Sequence, residues 1–192
     1  MSCRALFAIV LGLAFGGGRV IGQNQSQSLE EKLRAANAHR QRGEFNQAMR
    51  VYDDVMAEAE ALGDRDLRLA KTLNNVAVMR FTLGQYPQAE PLYLRALAIW
   101  ETIGGEHDPG VASCLNNLGE LYRGMGRFAD AEKMYKRALD LREAAAHRAP
   151  ADLATTLNSL GVVQQMKGNL ESAEESFHRA LKLQEEHIGK DS

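Results

Sequence analysis

Glu174, Glu175 and His178 come nearest, in type and spacing, to reactive chemistry. A carboxylate three or four residues before an imidazole on one helix could place two ligands together on a metal ion. No third ligand is in view, so the expectation is a solvated helical surface with no metal. The chain also lacks a phosphate-cradling Gly-Lys-Ser/Thr loop, a His-Glu-x-x-His, a Cys-x-x-Cys and a Gly-x-Ser-x-Gly elbow. No catalytic residue and no cofactor are therefore expected. A second chemistry is repeated rather than concentrated: Asn74-Asn75, Asn116-Asn117 and Asn158-Ser159 follow one another at 42-residue intervals. An asparagine amide offers two donors and an acceptor, which suits the alternating N–H and C=O groups of an extended peptide. That is the chemistry of binding.

The asparagines belong to a longer register. It runs Asn74…Gly84…Ala89…Tyr93…Ala96, then Asn116…Gly126…Ala131…Tyr135…Ala138, then Asn158…Gly168…Ala173…Phe177…Ala180, with a degenerate Gly43…Ala48…Tyr52 upstream. A period of this length specifies a stacked solenoid, because each unit is too small to bury its own apolar face, and an all-α one where the units are helical. Each unit reads as two amphipathic helices around a turn containing Gly. In the third, Asp108 is the expected N-cap and Pro109 the first helical residue. Leu115, Leu118, Gly119 and Tyr122 recur at three and four as a core stripe, and Gly126 closes the helix in the left-handed conformation. In the second helix Ala131 and Ala138 flank Tyr135, so that helices approach closely and the ring fills the space between units. Pro91 should cause at most a local kink. Cys114 is expected as a small core residue, and Trp100 as packing between units two and three.

Leu115-Asn116-Asn117-Leu118-Gly119 and Tyr135-Lys136-Arg137-Ala138-Leu139, recurring in register, resemble the tetratricopeptide repeat. The likeness is to its 42-residue variety, found in kinesin light chains and many bacterial scaffold proteins. It covers residues 29–188 in four repeats, about 29–62, 67–103, 109–146 and 151–188. Leu33, Ala36 and Ala77 depart from the pattern where the later units have Asn or Gly. The resemblance implies a right-handed superhelix whose first helices line a concave groove. The candidate groove residues are Lys71, Asn74, Asn75, Asn116, Asn117, Arg123 and Asn158. Neighbours on a helix point about 100° apart, so one Asn of each pair faces the groove fully. Asn74, Asn116 and Asn158 are favoured. Alternatively the amides bridge neighbouring repeats by hydrogen bonds, or one Asn serves each duty. Lys71 and Arg123 would attract an acidic peptide or a C-terminal carboxylate, although Glu120 lies in the same stripe.

The remaining sequence bounds the setting. Residues 1–22 read as a cleavable secretory signal, with Arg4 before the apolar run 5–15 and glycines at 16–18. That run spans about 16 Å as a helix, too short for stable membrane insertion. Cleavage after Gly22 would export the rest to the periplasm or outside the cell. It also removes Cys3 and leaves Cys114 with no disulfide partner. Residues 23–28 are a polar spacer. With 23 basic and 25 acidic side chains and no basic block, the chain lacks the footprint of a nucleic-acid binder. The chain stops where a fifth unit would begin, with no polar capping helix. The leading expectation is an exported, non-catalytic scaffold holding an extended protein segment. The alternatives are a structural module that self-associates through its last repeat, and a regulatory fragment of a larger protein.

Overall fold

The computed structural model describes residues 17–145 and 150–188. Among them the chain is helical between tight turns, and none forms a strand. In order come α1 (Gly17–Gln41), α2 (Phe45–Glu60), α3 (Leu67–Thr82), α4 (Tyr86–Ile99), a π-helical turn (Trp100–Gly104), α5 (Pro109–Gly124), α6 (Phe128–Ala144), α7 (Pro150–Met166) and α8 (Leu170–Ile188). The polar segment 23–28 lies within α1, which begins inside the segment expected as a signal; residues 1–16 of that segment lie outside the described residues.

The chain divides into two compact units between Ala61 and Leu62. The first contains the hairpin of α1 and α2, closed over Leu29, Leu33, Ala36, Tyr52 and Val55. The second contains three hairpins stacked in chain order, with α4 against α5 and α6 against α7. Within it α3 touches α5 and α5 touches α7, whereas α4, α6 and α8 do not touch one another. The first helices therefore line the inner side of a curved row.

The turns are built from their glycines. Gly126 has φ 74°, and Gly43, Gly84 and Gly168 take the same left-handed conformation. Its N–H reaches the Arg123 carbonyl at 3.0 Å, and the next N–H, of Arg127, reaches the Tyr122 carbonyl at 2.8 Å. This pair of bonds is the Schellman ending, which satisfies carbonyls that a helix otherwise leaves unpaired. The Arg127 guanidinium also lies 4.2 Å from the centroid of the Tyr122 ring, a cation–π contact where a hydrophobic one is usual. At the other end, the Asp108 carboxylate accepts from the Gly110 N–H at 2.7 Å, as Asp66 does from Arg68 at 2.8 Å. Helix α4 continues through Pro91 without a break.

The small-aromatic-small pattern forms the core between helices. Tyr52, Tyr93 and Tyr135 are enclosed, as are Ala89, Ala96, Ala131 and Ala138. A Cβ on Gly119 would lie 2.5 Å from the Tyr135 ring, and one on Gly161 would lie 2.7 Å from the Phe177 ring. Those glycines let the rings lie directly on the backbone of the first helix. Trp100 packs over Gly110 at the start of α5, between the second and third repeats. Cys114 is fully buried, its thiol donating to the Tyr93 carbonyl at 3.3 Å. Burial, reinforced by Glu101, pushes that thiol up to about 12. An aromatic disulfide reagent at pH 8 is therefore expected to leave the native thiol unmodified and to titrate it once the chain is unfolded in guanidinium. Rapid modification of the folded protein would show that α4 and α5 part readily.

Candidate functional site

On the inner side of the second unit, each first helix presents the positions that its core stripe leaves over. In α5 these are Ser113, Asn116, Asn117, Glu120 and Arg123, partly or fully exposed between buried Cys114, Leu115, Leu118 and Leu121. Lys71, Asn74, Asn75 and Val78 occupy the same places on α3, and Thr155, Asn158, Ser159 and Val162 on α7. The 42-residue period sets these residues in rows across three helices.

Hydrogen bonds cross the rows. Asn117 Nδ2 donates to Asn74 Oδ1 at 3.0 Å, joining α5 to α3. Thr156 donates a longer bond, 3.4 Å, to Asn116 Oδ1, and Ser159 donates to Glu120 Oε1 at 3.0 Å, joining α7 to α5. The amide of Asn74 is thus committed at its oxygen but keeps both N–H donors, and Asn117 keeps one N–H and its oxygen. Among the described residues Asn75 and Asn158 have no side-chain hydrogen-bond partner. The bridging duty falls on Asn74, Asn117 and, through its oxygen, Asn116, and whole amides remain on offer at Asn75 and Asn158.

Glu120 is the hub of this face. Its carboxylate accepts from the Tyr135 hydroxyl at 2.8 Å and from Arg123 at 2.5 and 3.1 Å, in addition to Ser159. Burial pushes its pKa up, but Arg123 and then Tyr135 outweigh that and hold it below the ordinary glutamate value. Tyr135 is raised in turn, first by burial and then by the carboxylate. Arg123 is therefore neutralised within its own helix. Lys71 stays exposed with no ion pair among the described residues.

Sequence reasoning missed this hub, although a signal was present. Tyr135 follows Glu120 by fifteen residues, and at the same offset the Tyr52 hydroxyl donates to Asn37 Oδ1 at 2.6 Å. Phe177, which has no hydroxyl, stands fifteen after Val162, which could accept no bond. Val78 and Tyr93 do not follow this rule. Glu174, Glu175 and His178 are exposed on α8, and among the described residues no group of three or more His, Cys, Asp or Glu could hold a metal ion. No described helix is long and apolar enough to cross a membrane.

These helix hairpins and the polar inner face define an all-α helical-repeat solenoid of the protein-interaction class. Three family models described as tetratricopeptide repeat match residues 33–66, 68–144 and 153–192. The chain belongs to the tetratricopeptide-repeat family. Among solved structures, BtubC (BKLC) from P. vanneervenii superposes with a TM-score of 0.79 at 27% identity, over 86% of this chain and 66% of that one. The nearly identical TPR-like repeats of a Podosopora anserina kinesin-light-chain candidate give 0.65 at 18% identity, covering 83% of this chain and 76% of that. MamA gives 0.62 at 17% identity, covering 89% and 86% respectively. The chain thus spans just under two thirds of BtubC. No curated protein matches. Tetratricopeptide-repeat proteins bind proteins or peptides and are typically non-catalytic scaffolds.

Proposed function

We propose that the inner face of α3, α5 and α7 binds an extended peptide segment of a partner protein, and that the chain acts as a non-catalytic adaptor. The observation that supports this reading most is the row of half-exposed amides, with Asn75 and Asn158 unpartnered and Asn74 holding free donors. Such groups meet a peptide backbone without selecting its side chains. Lys71 adds a preference for an acidic residue at one end, while Arg123 contributes none because Glu120 holds it. Ordering a flexible peptide costs entropy, so micromolar affinity, about −8 kcal/mol, is expected. The apolar run of residues 5–15 supports export as well, and N-terminal sequencing of the protein from its native host tests that: a mature chain starting at Gln23 is expected.

The groove is tested with peptides selected by display against the full chain. Asn75→Ala and Asn158→Ala should each weaken binding by about 0.5–1.5 kcal/mol and leave the melting temperature nearly unchanged. Asn74→Ala should in addition destabilise the fold by about 1 kcal/mol, because it strands Asn117. Selected peptides that bind the Asn75→Ala, Asn158→Ala double variant as well as the parent would place the binding surface elsewhere.

A further inference from the structure

Leu181 is the counterpart of Leu97 and Leu139 at the 42-residue period. Those two are 8% and 7% exposed, whereas Leu181 is 49% exposed. Leu170 likewise is 65% exposed, while its counterparts Tyr86 and Phe128 are half-buried. The cause lies in the stacking. Helix α5 covers α4 and α7 covers α6, but among the described residues only α7 lies against α8. Leu170, Ala173, Glu174, Phe177, His178 and Leu181 frame a hollow of about 340 Å³ on the uncovered side.

The charges at this face also repeat. Glu90 and Glu132 precede Glu174 at the same period. Glu90 pairs with Arg127 at 2.9 Å, and Glu132 with Lys167. Each base comes from the turn that ends the first helix of the following repeat. Glu174 is exposed and has no ion-pair partner among the described residues.

We propose that this face of α8 docks an amphipathic helix of the kind α5 and α7 represent, apolar toward α8 and bearing a Lys or Arg just past its C-terminus to meet Glu174. A second copy stacked head to tail fits less well. Counted from the turn glycines Gly43 and Gly126, the positions of Val111, Cys114, Leu118 and Leu121 on α5 are Ser28, Glu31, Ala35 and Ala38 on α1. That face of α1 offers little apolar surface for Leu170 and Leu181 to bury.

The probe is an acetylated peptide of residues 150–169, which carries the α7 sequence and Lys167, titrated into the 15N-labelled full chain. Saturable amide shifts are expected at Ala173, Phe177 and Leu181. Leu181→Glu, at an exposed position the fold tolerates, should weaken binding at least about tenfold. Glu174→Lys should weaken it about threefold, with recovery when the peptide carries Lys167→Glu. Absence of shifts up to ~1 mM peptide, shifts confined to the inner face, or indifference to Leu181→Glu would each overturn the proposal. Sedimentation of the chain alone decides the remaining occupant. A monomer at all concentrations agrees with a helical partner, and a dimer dispersed by Leu181→Glu would assign the face to a second copy.

Discussion

Replacing Tyr135 by Ala is expected to lower the unfolding free energy by about 3–5 kcal/mol, the usual cost of deleting a buried aromatic ring and leaving its cavity. For a chain of this size that is roughly 2–4 °C of melting temperature per kcal/mol. The ring is fully enclosed, lies on the Gly119 backbone and reaches Glu120. Nothing near it can collapse into the space without unstacking α5 from α6. Tyr135→Phe separates packing from polarity: it keeps the ring and takes one donor from a half-buried carboxylate, at about 1–2 kcal/mol. Adding Glu120→Val to Tyr135→Phe copies the pairing of Val162 with Phe177 and should recover part of that loss. The pH dependence has a defined sign. The folded pKa of Glu120 is depressed, so its contribution is fully present above the unfolded glutamate value and is lost as pH falls through the folded one. Wild type and Glu120→Gln should therefore converge in melting temperature on acidification. A Tyr135→Phe chain as stable as wild type at neutral pH would mean that the hydroxyl bond contributes nothing.

The contrast between Gly126 and Glu120 shows which parts of this fold a single sequence discloses. Gly126, Asp108 and Pro109 act through local backbone geometry, so their types and order announce the turn and the helix start before any packing is known. The Ala-aromatic-Ala spacing likewise announces one helix face, because 3.6 residues per turn is a local fact. The bond from Asn117 to Asn74 depends instead on the rotation and offset between repeats, which the period of 42 leaves undetermined. For the same reason Arg123, a candidate for binding a carboxylate by position alone, is held by Glu120 in the structure. The polar stretch 23–28 carries no apolar period, and so its helical state within α1 had no signal to betray it. Exposure of the α8 face could be suspected only from the missing neighbour, whereas the unmatched Glu174 appears once Glu90 and Glu132 are seen with their bases.

Gly110→Ala is expected to destabilise the chain by about 1–3 kcal/mol, although alanine is the better helix former by about 1 kcal/mol and the residue lies in regular helix. A Cβ there would sit 2.3 Å from the Trp100 ring, and the indole is 8% exposed at the end of α4, with little room to move. The repeats on either side show what relieves the conflict. In the neighbouring repeats Gly110 is replaced by Arg68 and Asp152, 42 residues earlier and later, and Trp100 by Ala59, 41 residues earlier, and Arg142, 42 residues later. The glycine therefore accompanies the indole. Trp100→Ala alone should cost about 3–5 kcal/mol. In that background Gly110→Ala should become neutral or stabilising by up to ~1 kcal/mol, since only its helix propensity then counts. The double-mutant cycle should return a coupling of about 1–4 kcal/mol, measurable by guanidinium unfolding of the four chains. If Gly110→Ala instead stabilises the chain with Trp100 present, the indole does not rest on that backbone, and the contact between the second and third repeats must be held by the enclosed residues Val111, Cys114 and Leu118 of α5.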